Sequence, residues 1–501
     1  MAQWRFLPDV PPDTPEVWQT CDGFHADRHG LYRTGWTATD FLSTGLSKPF
    51  TEVKNLRVPS LGRNSNILAW RLGDTSAYVY NGSTWNDRIG ATSVSAGLQE
   101  GICQLGDITV VGTPNTGCFS RDSTTTNNFA AVGSSPNARI LFVTDANILV
   151  ALSGGSSDGT DQWYTSDYGS TSFVTGGSSV AASGNLRQLP GAITAGVPFG
   201  IDAIAFKRKG VFRGNFQNSG DFIWRWELVR GSETIGAWGP GSAVNAGGKV
   251  YFVGDHGFYS FDGTNFEDLS SGGIWDTLNS FLASGIGAAD YPYTKLVFDP
   301  TTNLITFHAP GIQVPGGRNG NAQEFYSYHV ISGAWGHQTR VTNAGTNVYT
   351  AVVEGIEIDW VFGAPSPSTG IALFDSTNNK IINVSTTFDS SAVGSSYLPK
   401  IATGKIGSRE VTTGITKVIP GWTVSDGVGS DLSTATLKKV VPYYADSIME
   451  AMTQGSDVTL STDRYWADYR KSAWWHKFEI QINCEAVIDG VDVVKVKVGK
   501  K

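Results

Sequence analysis

Short apolar runs separated by glycine turns set the rhythm of this chain, and the densest example is VYFVGDHGFYSFDGTNFEDL, Val250 to Leu269. An apolar run meets a Gly turn, an aromatic run follows, and a second Gly turn leads to Phe266. The same order occurs upstream in ILAWRLGDTSAYVYNGSTW, Ile67 to Trp85. Tyr80-Asn81-Gly82-Ser83-Thr84-Trp85 and Phe261-Asp262-Gly263-Thr264-Asn265-Phe266 share one pattern: aromatic, Asn or Asp, Gly, Ser or Thr, any residue, aromatic. Asn-Gly and Asp-Gly tolerate the positive φ that tight hairpin turns demand. Both stretches therefore predict hairpins. Gly257 and Gly263 are expected to turn the chain, Asp262 to hold its turn, and Tyr251, Phe258 or Tyr259, and Phe266 to pack between sheets.

Between these units, aromatics closing similar polar turns stand at Phe129, Phe173 and Phe216, so that from Trp85 to Phe266 the steps are 44, 44, 43 and 50 residues. A repeat of this length built from short strands predicts an all-β chain, a β-propeller with one four-stranded blade per repeat. One blade alone buries too little apolar surface, whereas a ring covers both faces of every sheet. Thr165 to Phe173 resembles the Asp-box turn of sialidase-like propellers, with one residue too many before the aromatic. Asp167 and Gly169 are its expected structural residues, the Asp carboxylate accepting backbone N–H groups inside the loop. The pattern continues less regularly through 296–309, 324–339 and 371–385, with loop-like insertions at 309–323 and 363–370.

This organisation predicts an N-terminal arm over 1–50, a propeller of six or seven blades over 51–392, and a C-terminal β-domain over 393–501, where the alternating strands HKFEIQINCEAVI and GVDVVKVKV occur. Two short helices are expected. One carries Ile274, Leu278, Phe281 and Leu282 on one face, and the other spans Tyr444 to Thr453.

Composition agrees with many short strands and tight turns: 60 Gly and 58 aromatics accompany only 16% charged residues. The net charge of -8 and a pI near 5.4 disfavour a protein that grips nucleic acid by its phosphates. Residues 401–501 hold 13 Lys and Arg against 12 Asp and Glu, leaving 24 against 33 in residues 1–400, so the acidity sits in the N-terminal four-fifths. Cys21, Cys103, Cys118 and Cys484 show no CxxC pairing, and read as free buried thiols of a reducing compartment. The first residues lack the apolar core of a secretory signal, and no apolar window is long enough for a membrane helix.

Candidate chemistry is sparse. His25 and His29 stand four apart in HADRH, but glycines flank the stretch and no Glu follows the first His in the HExxH manner. His256, His308, His329, His337 and His476 are scattered singly. No GxSxG elbow, Walker A sequence, Rossmann fingerprint or zinc knuckle occurs, so no catalytic residue, cofactor or metal is assigned. A glycosidase needs two carboxylates that are not necessarily near in sequence, which leaves Asp255, Asp262, Glu267 and Asp268 as candidates. A sialidase would add arginines, with Arg208, Arg213, Arg225 and Arg230 in the right region. The basic clusters are Lys207-Arg208-Lys209 and the tail KVKVGKK, each read as a solvated edge.

The segment GSETIGAWGPGSAVNAGGKVYFVGDHGFYSFDGTNFEDLSSGGIWDTLNSFL, Gly231 to Leu282, is similar to the core of tail nozzle or tail hub propeller proteins of short-tailed bacteriophages. The ending DRYWADYRKSAWWHKFEIQINCEAVIDGVDVVKVKVGKK and, loosely, CDGFHADRHGLYRTG resemble the family's closing strands and N-terminal arm. The resemblance implies a virion structural protein, assembled in the host cytoplasm and located in the tail. It implies a homohexameric ring below the portal and adaptor proteins, contacts to tail tip or fibre proteins, and passage of DNA without specific binding. An acidic surface repeated around such a ring repels phosphate. The alternatives are a glycan-processing enzyme and a carbohydrate-binding adhesin.

Overall fold

The computed structural model describes residues 4–40, 52–57, 65–70, 77–80, 84–90, 101–153, 159–219, 222–283, 294–308, 324–339, 349–354, 371–375, 380–385, 397–408, 411–423, 438–447, 450–460, 466–483 and 486–499. Five short strands open the chain: β1 (Arg5–Phe6), β2 (Val17–Asp22), β3 (Phe24–Ala26), β4 (Tyr32–Thr34) and β5 (Thr37–Asp40). Blade 1 is β6 (Glu52–Arg57), β7 (Ser65–Trp70), β8 (Ala77–Tyr80) and β9 (Trp85–Asp87). Blade 2 is β10 (Gly101–Leu105), β11 (Ile108–Thr113), β12 (Gly117–Asp122) and β13 (Ala130–Ala131). Blade 3 is β14 (Ile140–Val143), β15 (Leu149–Leu152), β16 (Gln162–Thr165) and β17 (Ala182–Asn185). Blade 4 is β18 (Ile193–Phe199), β19 (Asp202–Lys207), β20 (Val211–Ser219) and β21 (Phe222–Leu228). Blade 5 is β22 (Ala243–Ala246), β23 (Lys249–Gly254), β24 (Gly257–Phe261) and β25 (Phe266–Asp268), followed by the helix α1 (Trp275–Ala283). Blade 6 is β26 (Lys295–Asp299), β27 (Leu304–His308), β28 (Phe325–His329) and β29 (Trp335–Gln338). Blade 7 takes β30 (Tyr349–Glu354), β31 (Ile371–Asp375) and β32 (Lys380–Ser385) from its own repeat and β5 as its fourth strand.

Each blade is antiparallel, and the first strands of consecutive blades are neighbours all the way round. The fold is a seven-bladed β-propeller. Two contacts close the ring. β5 pairs with β32, placing Asp40 opposite Ile382 and Thr37 opposite Ser385, and β30 meets β6 in parallel at Glu354 and Lys54.

The remaining strands form a terminal β-body: β33 (Lys400–Thr403), β34 (Ile406–Gly407), β35 (Thr412–Thr423), β36 (Lys438–Ala445), β37 (Thr453–Gln454), β38 (Val458–Thr459), β39 (Ala467–Ala473), β40 (Trp475–Ile482) and β41 (Val487–Gly499). Blade 6 does not stop at its fourth strand. Its sheet continues from β29 into β3, β4, β41, β35 and β39, while β1 and β2 join β33, β40, β36 and β37 in a second sheet. The first forty residues are thus divided between two terminal sheets and blade 7.

Period-two alternation explains why one blade serves two seams. In β23 and β24, Tyr251, Val253 and Phe258 pack with Phe307, Tyr328 and Trp335 of blade 6. Their neighbours Val250, Phe252, Tyr259 and Phe261 pack instead with Ile204 and Phe206 of blade 4. β15 shows the same division: Val150 and Leu152 join the seam with blade 4, whereas Leu149 and Ala151 join the seam with blade 2.

Several expectations need correction. α1 forms, with Ile274, Leu278 and Leu282 fully buried, but a helix over Tyr444 to Thr453 does not. Tyr443 and Tyr444 complete β36 opposite Lys477 and His476, because Val440-Val441-Pro442-Tyr443-Tyr444 suits a half-buried pleat, and 448–449 lie outside the described residues. Phe129 precedes the fourth strand of blade 2 as Trp85 and Phe266 open theirs, but Phe173 lies in a long β16–β17 connection and Phe216 inside β20. The insertions 309–323 and 363–370 lie outside the described residues.

Candidate functional site

The two matched hairpins close in one register, Tyr80 opposite Trp85 and Phe261 opposite Phe266. Asp262 Oδ1 accepts the N–H groups of Asn265 at 2.7 Å and Thr264 at 2.8 Å, which holds its carboxyl below the usual range. Gly263 adopts φ 99°; Asn81 and Gly82 lie outside the described residues. In blade 3, Asp167 Oδ1 accepts from Tyr168 N and from Val180 N, both at 3.0 Å, so it fastens its own loop to the approach of β17. Gly169 adopts φ 56° and donates its N–H to Asn147 O at 2.8 Å. Gly257 does something other than turn the chain. Asp255 and His256 make the turn, and Gly257 opens β24 where an added Cβ would lie 2.9 Å from Ser270 Oγ.

Of the side chains proposed for glycan chemistry, Arg208 and Asp255 meet one another, while Arg213 and Arg225 are each paired with an acid outside that set. Arg208 Nε donates to Asp255 Oδ2 at 3.0 Å, its Nη2 contacts Oδ1, and Trp238 Nε1 donates to the same Oδ1 at 2.9 Å. Arg213 grips Asp202 through Nη2 at 2.7 Å and Nε at 3.1 Å, and Arg225 pairs with Glu227 at 2.6 Å. Arg230 is exposed. Asp268 Oδ1 accepts from Ser270 N at 2.9 Å and Ser271 N at 3.1 Å, while Glu267 is exposed on β25. A substrate carboxylate would have to displace these partners. Cys21, Cys103 and Cys118 are buried, and burial pushes the Cys118 thiol up to about 12; Cys484 lies outside the described residues.

His25 and His29 do not converge on one ligand. His29 is exposed in the turn, whereas His25 is buried against Trp36 and Phe325, ring centroids 4.3 and 5.5 Å away. Its Nε2 donates to Gln338 Oε1 at 2.7 Å, so Nδ1 is left to accept the Ser327 hydroxyl at 2.8 Å. Burial lowers its pKa to about 4, and the ring is neutral. Next to it, Asp22 Oδ1 accepts from Thr339 N, Thr339 Oγ1 and Tyr397 OH, each at 2.9 Å. This clamp joins β2 and β3 to blade 6 and the start of the terminal body. Nothing local marks it, because Ser327 and Gln338 lie 302 and 313 residues from His25.

Two surfaces of the terminal body were also not anticipated. Alternation along β40 buries Phe478, Ile480 and Ile482 and leaves Lys477, Glu479 and Gln481 on the opposite face. There Lys477 lies 6.0 Å from the Tyr443 ring and Lys439 pairs with Asp457 at 2.6 Å. Burial lowers the Lys477 pKa, an effect Glu479 opposes and Lys405 and Lys400 reinforce. On the other side, a cavity of about 610 Å³ is lined by Trp4, Glu16, His29, Gly421, Asp489 and Asp492 among others. One surface offers cations beside an aromatic ring, the other carboxylates beside an indole.

No protein-family model and no curated protein matches the chain. Among solved structures it is similar to BBS1N in complex with ARL6DN, at 8% identity over 72% of this chain and 99% of that one, with a TM-score of 0.42. It is also similar to YCF48 bound to D1 peptide, at 11% identity over 70% and 97% and a TM-score of 0.40. A chain of the mitotic checkpoint complex follows at 10% identity over 70% and 94%, with a TM-score of 0.37. Likenesses this distant carry no functional argument, and the chain's own sheet order defines it as a seven-bladed propeller with a terminal β-body.

Proposed function

We propose that this chain is a rigid subunit of a ring-shaped tail nozzle or hub in a short-tailed bacteriophage, assembled with portal and adaptor proteins around the path of the genome. The observation that carries the reading is the nine-stranded sheet running without a break from β26 through β3, β4 and β41 to β39. It joins propeller and terminal body by backbone hydrogen bonds, a linkage suited to an element that transmits load rather than one that opens around a substrate. The paired states of Arg208, Arg213 and Arg225 favour the same reading over a sialidase.

The first strands of blades 2 to 5, β10, β14, β18 and β22, carry no charged residue. Those of blades 1, 6 and 7 carry Glu52, Lys54, Arg57, Lys295, Asp299 and Glu354, mixed in sign, so the acidic lining expected of a genome path would be provided by surfaces between copies rather than by the propeller's inner strands. Light scattering and negative-stain imaging of the purified chain, alone and with a tail adaptor protein, test the reading. Closed rings are expected; a chain that remains monomeric in both preparations overturns it.

A further inference from the structure

The end of β41 is an unusual piece of surface. β4 covers one edge of this strand only at Val487 and Ile488, while β35 follows the other edge from Val487 to Gly499. From Val493 onward the first edge has no strand partner among the described residues. Val494 is 42% exposed and Val496 48%, and Lys495 between them is exposed as well, so both faces of the ribbon stand in water here. Exposed edges in single-chain proteins are normally blunted, and a lysine serves that purpose. Two neighbouring valines do the opposite, leaving a flat, apolar template for another strand.

The molecule also presents a complementary edge. Of the outermost blade strands, β13 and β17 carry no charge, β9 carries the single acid Asp87, and β21 carries an internally paired Arg225 and Glu227. β25 reads Phe266-Glu267-Asp268, two acids and no base, with both carboxylates exposed and β24 on one side only. Phe266 and Asp268 share one face of β25 and Glu267 stands on the other, so a strand in which valine alternates with lysine can set a lysine against Glu267.

We infer that β41 of one copy adds to the β25 edge of a second copy, extending blade 5 and setting Lys495 beside Glu267. Blade 5 and the terminal body are different surfaces of the chain, so the contact is heterologous, the type that closes into a ring or runs on as a filament. The inference rests on the proposed ring and names the strands that build it. Backbone pairing provides affinity, and the Lys495–Glu267 pair sets the register.

The test is the oligomeric state of the full-length chain by sedimentation velocity, combined with hydrogen exchange. Assembly of the wild type is expected to protect amides in 493–498 and in 265–269 together. Lys495→Glu and Glu267→Lys are each expected to weaken association about tenfold or more, and the double exchange to restore most of it. Val494→Thr with Val496→Thr keeps strand propensity while removing apolar contact, and is expected to weaken association without lowering the melting temperature of the monomer. Rings that form undiminished in all these variants, or without protection at 265–269, overturn this contact and leave the ring itself standing. A wild-type chain that never associates removes the ring and the contact together.

Discussion

The carboxylate of Asp9 accepts hydrogen bonds from the amide and the hydroxyl of Thr277, 268 residues further along the chain. It also accepts the amide of Asp276 at 2.7 Å, so the first turn of α1 is capped by a side chain from another element. Ile274, which precedes the helix, has no oxygen in its side chain to do this, and helix N-termini need an acceptor for their free amides. The cap also fastens the start of the chain to the connection after blade 5, where Asp9 N donates to Gly273 O at 2.9 Å.

Asp9→Ala is therefore expected to destabilise α1 by about 1 kcal/mol. Hydrogen exchange at the Asp276 and Thr277 amides measures this directly, with faster exchange expected there and unchanged protection in blades 2 and 3. Asp9→Ser, which keeps an oxygen acceptor, should recover part of the loss.

Gly263 makes a second prediction, because conformation and space act together at that position. Its φ of 99° is one that side chains rarely adopt, and an added Cβ would lie 3.0 Å from the Phe199 ring of blade 4. Gly247 has φ 61° and open space around it. Gly263→Ala should cost about 1–3 kcal/mol, and more than Gly247→Ala, when both are compared by chemical denaturation. Equal effects would mean that backbone strain alone matters and that the seam yields.

The pH dependence follows from His25 and His308. Burial lowers His25 from 6.5 to about 4, and burial with the nearby Lys295 charge lowers His308 to about 3. In the unfolded chain both titrate near 6.5, so below that pH the unfolded state binds more protons and folding weakens. Their contribution is complete above about pH 6.5 and is progressively lost down to the folded values, roughly 3 kcal/mol for His25 alone. Denaturation midpoints measured between pH 7 and pH 4 should fall, and His25→Gln should flatten that slope while lowering stability at pH 7.

What the sequence makes legible divides along the same line. The β23–β24–β25 unit was readable because all its instructions are local: alternating aromatics, Asp262-Gly263, and Phe266 three residues on. The face of α1 was readable for the same reason. The short helical period at Tyr444 to Thr453 yields to the β40 strand, which pairs with Tyr443 and Tyr444 and is not visible in the local sequence. The closing strand β5, the His25 clamp and the Asp9 cap carry no local mark, since each is defined by a partner roughly 270 to 350 residues away and by burial that only the closed ring creates. The candidate side chains meet the same limit. Arg208 and Asp255 both stood among the candidates, but their mutual contact depends on two blades being adjacent.

That contact gives the last prediction. Arg208 follows β19 of blade 4, and Asp255 lies in the β23–β24 turn of blade 5, where its Oδ1 also takes the Trp238 N–H. Asp255→Ala removes the acceptor for both donors and leaves a guanidinium and an indole N–H at the seam, whereas Arg208→Ala leaves Asp255 still bonded to Trp238. The first change is therefore expected to cost about 1–3 kcal/mol and the second less, because the arginine side chain is 37% exposed and water screens its charge. A double-mutant cycle should return a coupling of about 1 kcal/mol that shrinks in high salt. Additive effects would show that the Arg208–Asp255 contact adds nothing to the seam beyond its apolar packing. A clear coupling would show that Arg208 and Asp255 act as a brace between neighbouring sheets.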